Sequence, residues 1–440
     1  MEDRPLRVLI LAEAANPEWV SVPLVGWSMS RAIAGETQAV IVTQVRNRDA
    51  FLRAGLVEGK DFVAIDTEKL SGPLWKLANF LRGGKGVGWT MLTAIASISY
   101  PYFETLAWRR FRAEIESGAF DVVHRVTPLT PTAPSLFAKR CARAGVPFVV
   151  GPLNGGVPWP KQFREAQRQE REWLSHVRSA YKLLPGYRNT IRHAAAILSG
   201  SRFTMSQLPA RHAHKYVYMA ENGIDPTRFS GRAPDYEGAP LRLCFVGRLV
   251  PYKGLDMLVE AAAPLLADGR ATLDVVGDGP MMAAVREQVR QAGLEAGVKL
   301  HGWVEHGVVQ DVLRGAHVLA FPSIREFGGG VVLEAMTLGV VPVVVDYAGP
   351  GELVDDEVGV KVPLGDRGQI IAAMRAALAG LAADPARVRA LSARCVARIA
   401  ERYTWRVKAR EMVALYRRLL AARGSRGRAA AQAGAPGPAA

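Results

Sequence analysis

The chain has 440 residues, 49% of them hydrophobic and 22% charged, with a mean hydropathy of +0.06. That length exceeds one ordinary core and suits two domains, and the composition excludes a disordered or collagen-like protein. The net charge of +15 sits mostly in residues 1–234, where 31 Lys and Arg face 19 Asp and Glu, against 25 facing 22 in the remainder.

In chain order, MEDRPLRVLILAEA passes straight from charge into a strand-like run, without the pattern of a signal peptide. Apolar, β-branched runs at 7–12, 39–44, 62–66, 121–124, 147–151 and 195–199 read as buried strands. Residues 73–112 mix Trp75, Phe80, Trp89, Tyr100, Tyr102, Phe103 and Trp108 with Arg109, Arg110 and Arg112. They read as two core helices packed on the first sheet, or as an amphipathic surface for an anionic membrane; aromatic spacing favours the core. The uncharged stretch 87–103 is too short to span a bilayer.

A turn-rich segment, 220–240, separates residues 1–219 from a second set of strands at 241–247, 272–277, 298–302, 318–323 and 342–346. Helix-length patterns lie between the strands, so the reading is two doubly wound parallel sheets of the α/β class with a ligand cleft between them. The second domain is set at 241–403, an amphipathic helix at 404–421, and a low-complexity, disordered tail at 422–440.

Three cysteines far apart, Cys141, Cys244 and Cys395, exclude a disulfide scaffold, offer no zinc or iron–sulfur spacing and point to a reduced, cytoplasmic setting. The basic first half suits nucleic acid, anionic lipid or an anionic substrate. No zinc finger, homeodomain or RNA-binding signature accompanies it, so nucleic acid is not the expected partner.

The densest chemistry lies in LAFPSIREFGGGVVLEAMTLGVVPVV (319–344). A strand ends at Pro322–Ser323, Glu326 follows, and Gly328, Gly329 and Gly330 precede a helix starting near Val331. Glycines admit a ligand close to the backbone, and a helix start offers N–H groups to phosphate. Glu326 and Glu334 stand on either side, placed to face one hydroxyl-bearing molecule; the plainer reading is a glycine turn with two surface glutamates. VGRLVPYKG (246–254) delivers Arg248 and Lys253 to a strand end, where two cations can neutralise a departing diphosphate. DVVGDGP (274–280) reads as a structural glycine turn. Asp274 and Asp278 form no metal pair, and His212 with His214 lacks a third ligand.

These segments, with AENGID (220–225), HGWVEH (301–306) and PVVVDYAGPGELV (342–354), resemble in order and spacing the retaining, family 4 type of nucleotide-sugar glycosyltransferases. The resemblance covers roughly 140 residues and implies the GT-B fold, two facing Rossmann-like domains with a terminal helix crossing back onto the first. It implies that Arg248 and Lys253 bind the donor diphosphate, that Glu326 contacts the transferred sugar and that Glu334 holds the ribose. The backbone of Gly328, Gly329, Gly330 and Val331 would touch sugar and phosphate, and Gly302, Trp303 and Val304 the base. It further implies retention of configuration, a glycan, lipid-linked or small-molecule acceptor, and neither metal nor cofactor; the nucleotide sugar is a co-substrate. Loss of catalysis, leaving a nucleotide-sugar-binding protein, is the alternative.

The first domain departs from the family pattern. EAANPEWVSVPLVGWS (13–28) lacks the glycine pair that many relatives carry, and FDVVHRVTPLTP (120–131) has His124 followed by Val126 where they carry His-x-His. His124 reads either as a cleft hydrogen-bonding group or as a packed strand-end histidine. Arg125 is a candidate for an anionic acceptor group, and Asn154, Gly155 and Gly156 in GPLNGGVPWP (151–160) are candidates at the cleft edge. Peripheral contact with an anionic membrane through the basic first domain stays open.

Overall fold

The structure, a computed structural model, describes residues 4–68, 89–163, 185–229, 231–238 and 240–433. Trp75, Phe80 and the side chain of Trp89 lie outside the described residues.

The first sheet holds β1 (Arg7–Ala12), β2 (Gln38–Gln44), β3 (Phe62–Ile65), β4 (Val122–Thr127), β5 (Phe148–Leu153), β6 (Ala196–Ser199) and β7 (Tyr216–Tyr218), in the order β3-β2-β1-β4-β5-β6-β7. The second holds β8 (Leu241–Val246), β9 (Ala271–Val276), β10 (Val298–Gly302), β11 (Val318–Phe321), β12 (Val341–Val345) and β13 (Val360–Val362), in the order β10-β9-β8-β11-β12-β13. Every pairing is parallel. In both sheets the winding reverses between the first and fourth strands, β1 and β4 or β8 and β11. Loops that leave those strands diverge and open a crevice at the carboxyl edge. These are the two doubly wound domains expected from the strand runs.

Strands buried on both faces explain the unbroken apolar runs. On one face of the first sheet Leu9, Leu11, Val123 and Val150 meet Tyr100, Phe103, Trp108 and Phe111 from helix Trp89–Glu116. Tyr100, Phe103 and Trp108 of the aromatic stretch are therefore core, and a single helix covers its described part. Arg110 and Arg112 on its outer face pair with Glu114 and Glu116 at 2.8 and 2.9 Å.

The other face buries Val8, Ile10, Val122 and Val149 against Met412, Val413, Leu415 and Tyr416 of the terminal helix, Trp405–Ala433. That helix crosses back onto the first domain. It continues past residue 421 to Ala433, so the described part of the expected disordered tail is helical. Its alanine, arginine and glutamine are strong helix formers, and that propensity outweighs the low complexity.

The two strands of chain joining the domains run side by side. Ile224 donates its N–H to the Tyr403 carbonyl at 2.8 Å, and Trp405 returns one to the Ile224 carbonyl at 3.0 Å. Gly223 is glycine because a Cβ there would press on the Trp405 indole at 2.8 Å. Ala233 and Tyr236 are buried in the second core, so that domain takes in part of the segment read as linker.

Candidate active site

The switch-point crevice of the second sheet collects the motifs singled out in the sequence. After β8 the chain turns through Gly247 and Arg248 into the short turn Pro251–Lys253 and then helix Leu255–Ala267. Gly254 at that helix start has φ 71°, and a Cβ would lie 2.7 Å from the Pro322 carbonyl oxygen. Close approach at this glycine sets the loop after β8 against the loop after β11. Lys253 consequently reaches Glu326 and forms an ion pair with it, its ammonium 4.8 Å from the centre of the Phe321 ring. The two side chains are 13% and 24% exposed, which keeps both open to a ligand. Arg248 stands exposed on the same loop.

Beyond Glu326, helix Gly330–Thr337 starts from Gly329 at φ 58°, one residue earlier than the sequence suggested. The Val332 N–H donates to the Gly329 carbonyl at 3.0 Å, and the N–H groups ahead of it lie at the open end of the helix. Gly328 has no room for a Cβ because the Asn222 side-chain amide occupies that space. Glu334 lies half-buried one turn into the helix. The DVVGDGP turn is structural: a Cβ on Gly277 would overlap the Gly247 carbonyl, and one on Gly279 the Leu249 carbonyl. Gly302 ends β10 at φ 72°, and Trp303 beyond it is 76% exposed. β10 lies two strands from β8, about 10 Å across the sheet.

The first domain treats its candidates differently. Asn154 reaches the cleft: its Nδ2 donates to Glu221 at 2.6 Å, and its Oδ1 accepts from the Gly156 N–H at 2.9 Å. The Gly155 N–H donates to Thr204 at 3.0 Å. His124 does not face the cleft. It is fully buried, with Nε2 donating to the Gly151 carbonyl at 2.8 Å and Nδ1 accepting from the Tyr416 hydroxyl at 2.6 Å. Arg125 is buried as well, donating to the Ala133 carbonyl at 2.6 Å and lying 5.6 Å from the Tyr100 ring. Neither is available to an acceptor. Both belong to a strand that stays in the sheet to Thr127; both His124 ring nitrogens are paired there, whereas the buried Arg125 Nε has no hydrogen-bond partner. His212 and His214 lie in the turn Ala210–Lys215, and among the described residues no three His, Cys, Asp or Glu are grouped to hold a metal ion.

Burial holds the His124 imidazole down to about 4, below its ordinary 6.5, with the nearby Arg125 charge acting the same way. Its contribution to stability is therefore complete above pH 6.5 and is lost as pH falls toward 4. Urea unfolding should show the stability gap between wild type and His124→Asn shrinking by up to about 3 kcal/mol over that interval. A constant gap contradicts a buried, neutral ring.

Several groups at the cleft were not assigned roles from sequence. Glu13, half-buried after β1, has its carboxyl pushed up to about 7 by burial, opposed by the Arg46 charge. Trp159 of the first domain meets Tyr252 edge-on at 5.8 Å and lies 5.2 Å from the Arg325 guanidinium, whose Nε donates to the Val157 carbonyl at 3.3 Å. Tyr347 donates to the Pro158 carbonyl at 3.0 Å. The 151–160 loop thus spans the cleft. Its sequence signal was the pair of aromatics on facing loops, which spacing alone does not bring together.

Residues 240–380 match the family model of glycosyl transferases group 1, which covers the second sheet and its crevice. The two-domain architecture matches solved structures over nearly the whole chain. One is Anabaena HepE in complex with UDP, with a TM-score of 0.57 at 14% identity over 93% of this chain and 98% of that one. Another is sucrose-phosphate synthase from Thermosynechococcus elongatus, with a TM-score of 0.61 at 17% identity over 95% and 100%. The fold is GT-B, and the second domain carries the group 1 signature read from its motifs.

Among named relatives, alpha-D-kanosaminyltransferase of Streptomyces kanamyceticus is 30% identical over 190 residues, 40% of this chain and 49% of the relative. A putative colanic acid biosynthesis glycosyltransferase, WcaL, of Salmonella typhimurium is 28% identical over 236 residues, 51% of this chain and 56% of the relative. The chain thus spans about half the length of the curated relatives it matches.

Proposed function

We propose that the protein is a glycosyltransferase that moves a sugar from a nucleoside diphosphate to a hydroxyl acceptor with retention of configuration, in the assembly of a glycan, glycolipid or polysaccharide. The observation that carries this reading is the Lys253–Glu326 pair at the switch point, flanked by Arg248 and the Gly328–Gly330 loop. Two cations and a helix start on the loops of one crevice suit the charge of a departing diphosphate. Glu326 beside Lys253 takes the sugar, and Glu334 the ribose. Gly302–Val304, two strands away, takes the base, a separation that suits a nucleoside diphosphate. The acceptor hydroxyl attacks on the face that the diphosphate leaves, so the leaving phosphate counters the oxocarbenium charge and configuration is kept.

In this reading Arg248, Lys253 and peptide N–H groups meet the leaving-group charge without a metal, so turnover persists in EDTA. Incubation with a nucleotide sugar and an acceptor panel tests the reaction. Transfer with retained anomeric configuration supports it, whereas nucleotide binding without product indicates a binding protein that has lost catalysis.

The 151–160 loop and the first-domain carboxyl edge take the acceptor. No helix among the described residues is long and apolar enough to cross a membrane. With Tyr100, Phe103 and Trp108 buried, peripheral contact at the inner face of an anionic membrane rests on the charge of the first domain. Flotation with phosphatidylglycerol vesicles at low salt reads it out, and no binding removes it.

A further inference from the structure

Glu221 sits where three parts of the molecule meet. It is 8% exposed, and its Oε2 accepts from Asn154 Nδ2 of the first domain at 2.6 Å. Its Oε1 lies beside the donor loop, 3.7 Å from where a Cβ on Gly328 would stand. The flanking backbone is fastened from the terminal helix, since Lys408 Nζ donates to the carbonyls of Ala220 and, at 2.8 Å, Asn222. Asn222 in turn fills the space under Gly328. A buried carboxyl is costly unless hydrogen-bonded, and Asn154 supplies a side-chain partner across the domain boundary. The same Asn154 turns the loop by accepting the Gly156 N–H at 2.9 Å. Burial pushes the Glu221 carboxyl up to about 7, Asn154 and Lys408 lower it, and Glu326 raises it, which places Glu326 within electrostatic reach.

We propose that Glu221 is a positioning residue. Through Asn154 it sets the first domain's 151–160 loop in register with the Gly328–Gly330 loop, so that transfer requires it while nucleotide binding does not. The assignment rests on the glycosyltransferase reading for its catalytic consequence, but the register itself is independent of any donor. Asn154→Ala removes the same hydrogen bond from the other side and leaves Glu221 in place. Glu221→Gln keeps an amide oxygen to accept from Asn154.

Hydrogen exchange on the full chain without ligand tests the register. Glu221→Ala and Asn154→Ala should each speed exchange of the Gly156 amide and of the 328–330 amides by about tenfold or more, and Glu221→Gln should restore wild-type rates within about threefold. Unchanged exchange in both alanine variants, or a Gln variant as fast as the Ala variant, overturns the proposal.

Turnover with UDP-glucose, UDP-galactose, GDP-mannose and ADP-glucose gives the catalytic arm. With whichever is used, kcat should fall about tenfold or more in Glu221→Ala with the donor KM within about twofold, and Glu221→Gln should recover it. A raised KM at unchanged kcat contradicts positioning. Absence of turnover in wild type counts against the enzymatic reading alone, because the exchange result stands without it.

Discussion

Glu326→Ala and Lys253→Ala should each lower sugar transfer by about a hundredfold to a thousandfold, with unfolding midpoints close to wild type. The pair joins two loops at the crevice rather than two core elements, and both side chains remain partly exposed, so its loss leaves the packing intact. The variants differ in what they bind. Removing Lys253 deletes a cation from the diphosphate position and weakens nucleoside diphosphate binding. Removing Glu326 deletes a carboxylate assigned to the sugar, so nucleoside diphosphate binds at least as tightly while transfer fails. Titration calorimetry with each variant measures the difference. Wild-type turnover in both variants contradicts the site assignment.

Gly349→Ala is expected to be nearly as damaging, by a different route. A Cβ at Gly349 would overlap the Phe327 carbonyl oxygen, and the Gly349 N–H donates to the Glu326 carbonyl at 3.2 Å. The obstruction is backbone, which has no rotamer to yield. The preceding Ala348 already holds φ 52°, so the start of helix Ala348–Leu353 has little freedom to move away. The loop that carries Glu326 and Phe327 must shift instead. Stability should fall by about 1–3 kcal/mol and donor affinity by about tenfold or more. Gly307→Ala is the control: its surroundings are open, and it lies in helix His306–Gly315, so chemical denaturation should find it neutral or slightly stabilised. Equal behaviour of the two variants contradicts the close approach.

Most strands and the β8–β11 crevice were legible because buried parallel strands leave continuous apolar runs, such as RVLILA and VPVVV, and because strand-end glycines mark where two loops touch. β7 (YVY) and β13 (VKV) escaped notice: each is three residues long at a sheet edge, too short to show a pattern. β4 appeared to stop at His124 because polar residues look like a strand end. Their partners, Tyr416 for His124 and Ala133 for Arg125, become visible only in three dimensions. The same limit applies to Glu221. AENGID was recognisable as a motif, yet the partners that give its carboxyl a role stand on other elements, Asn154 after β5 and Lys408 on the terminal helix. Local chemistry is written locally, whereas contacts between domains are not.

The β8–β11 crevice is expected to hold a nucleoside diphosphate. Thermal melting of wild type and Lys253→Ala against UDP, GDP, ADP and TDP tests it most directly. A ligand at about 100 times its dissociation constant adds about 2.7 kcal/mol to the native state, a visible shift. One base series should stabilise wild type, and Lys253→Ala should lose most of the shift. No response to any nucleoside diphosphate, or an equal response in the variant, contradicts it.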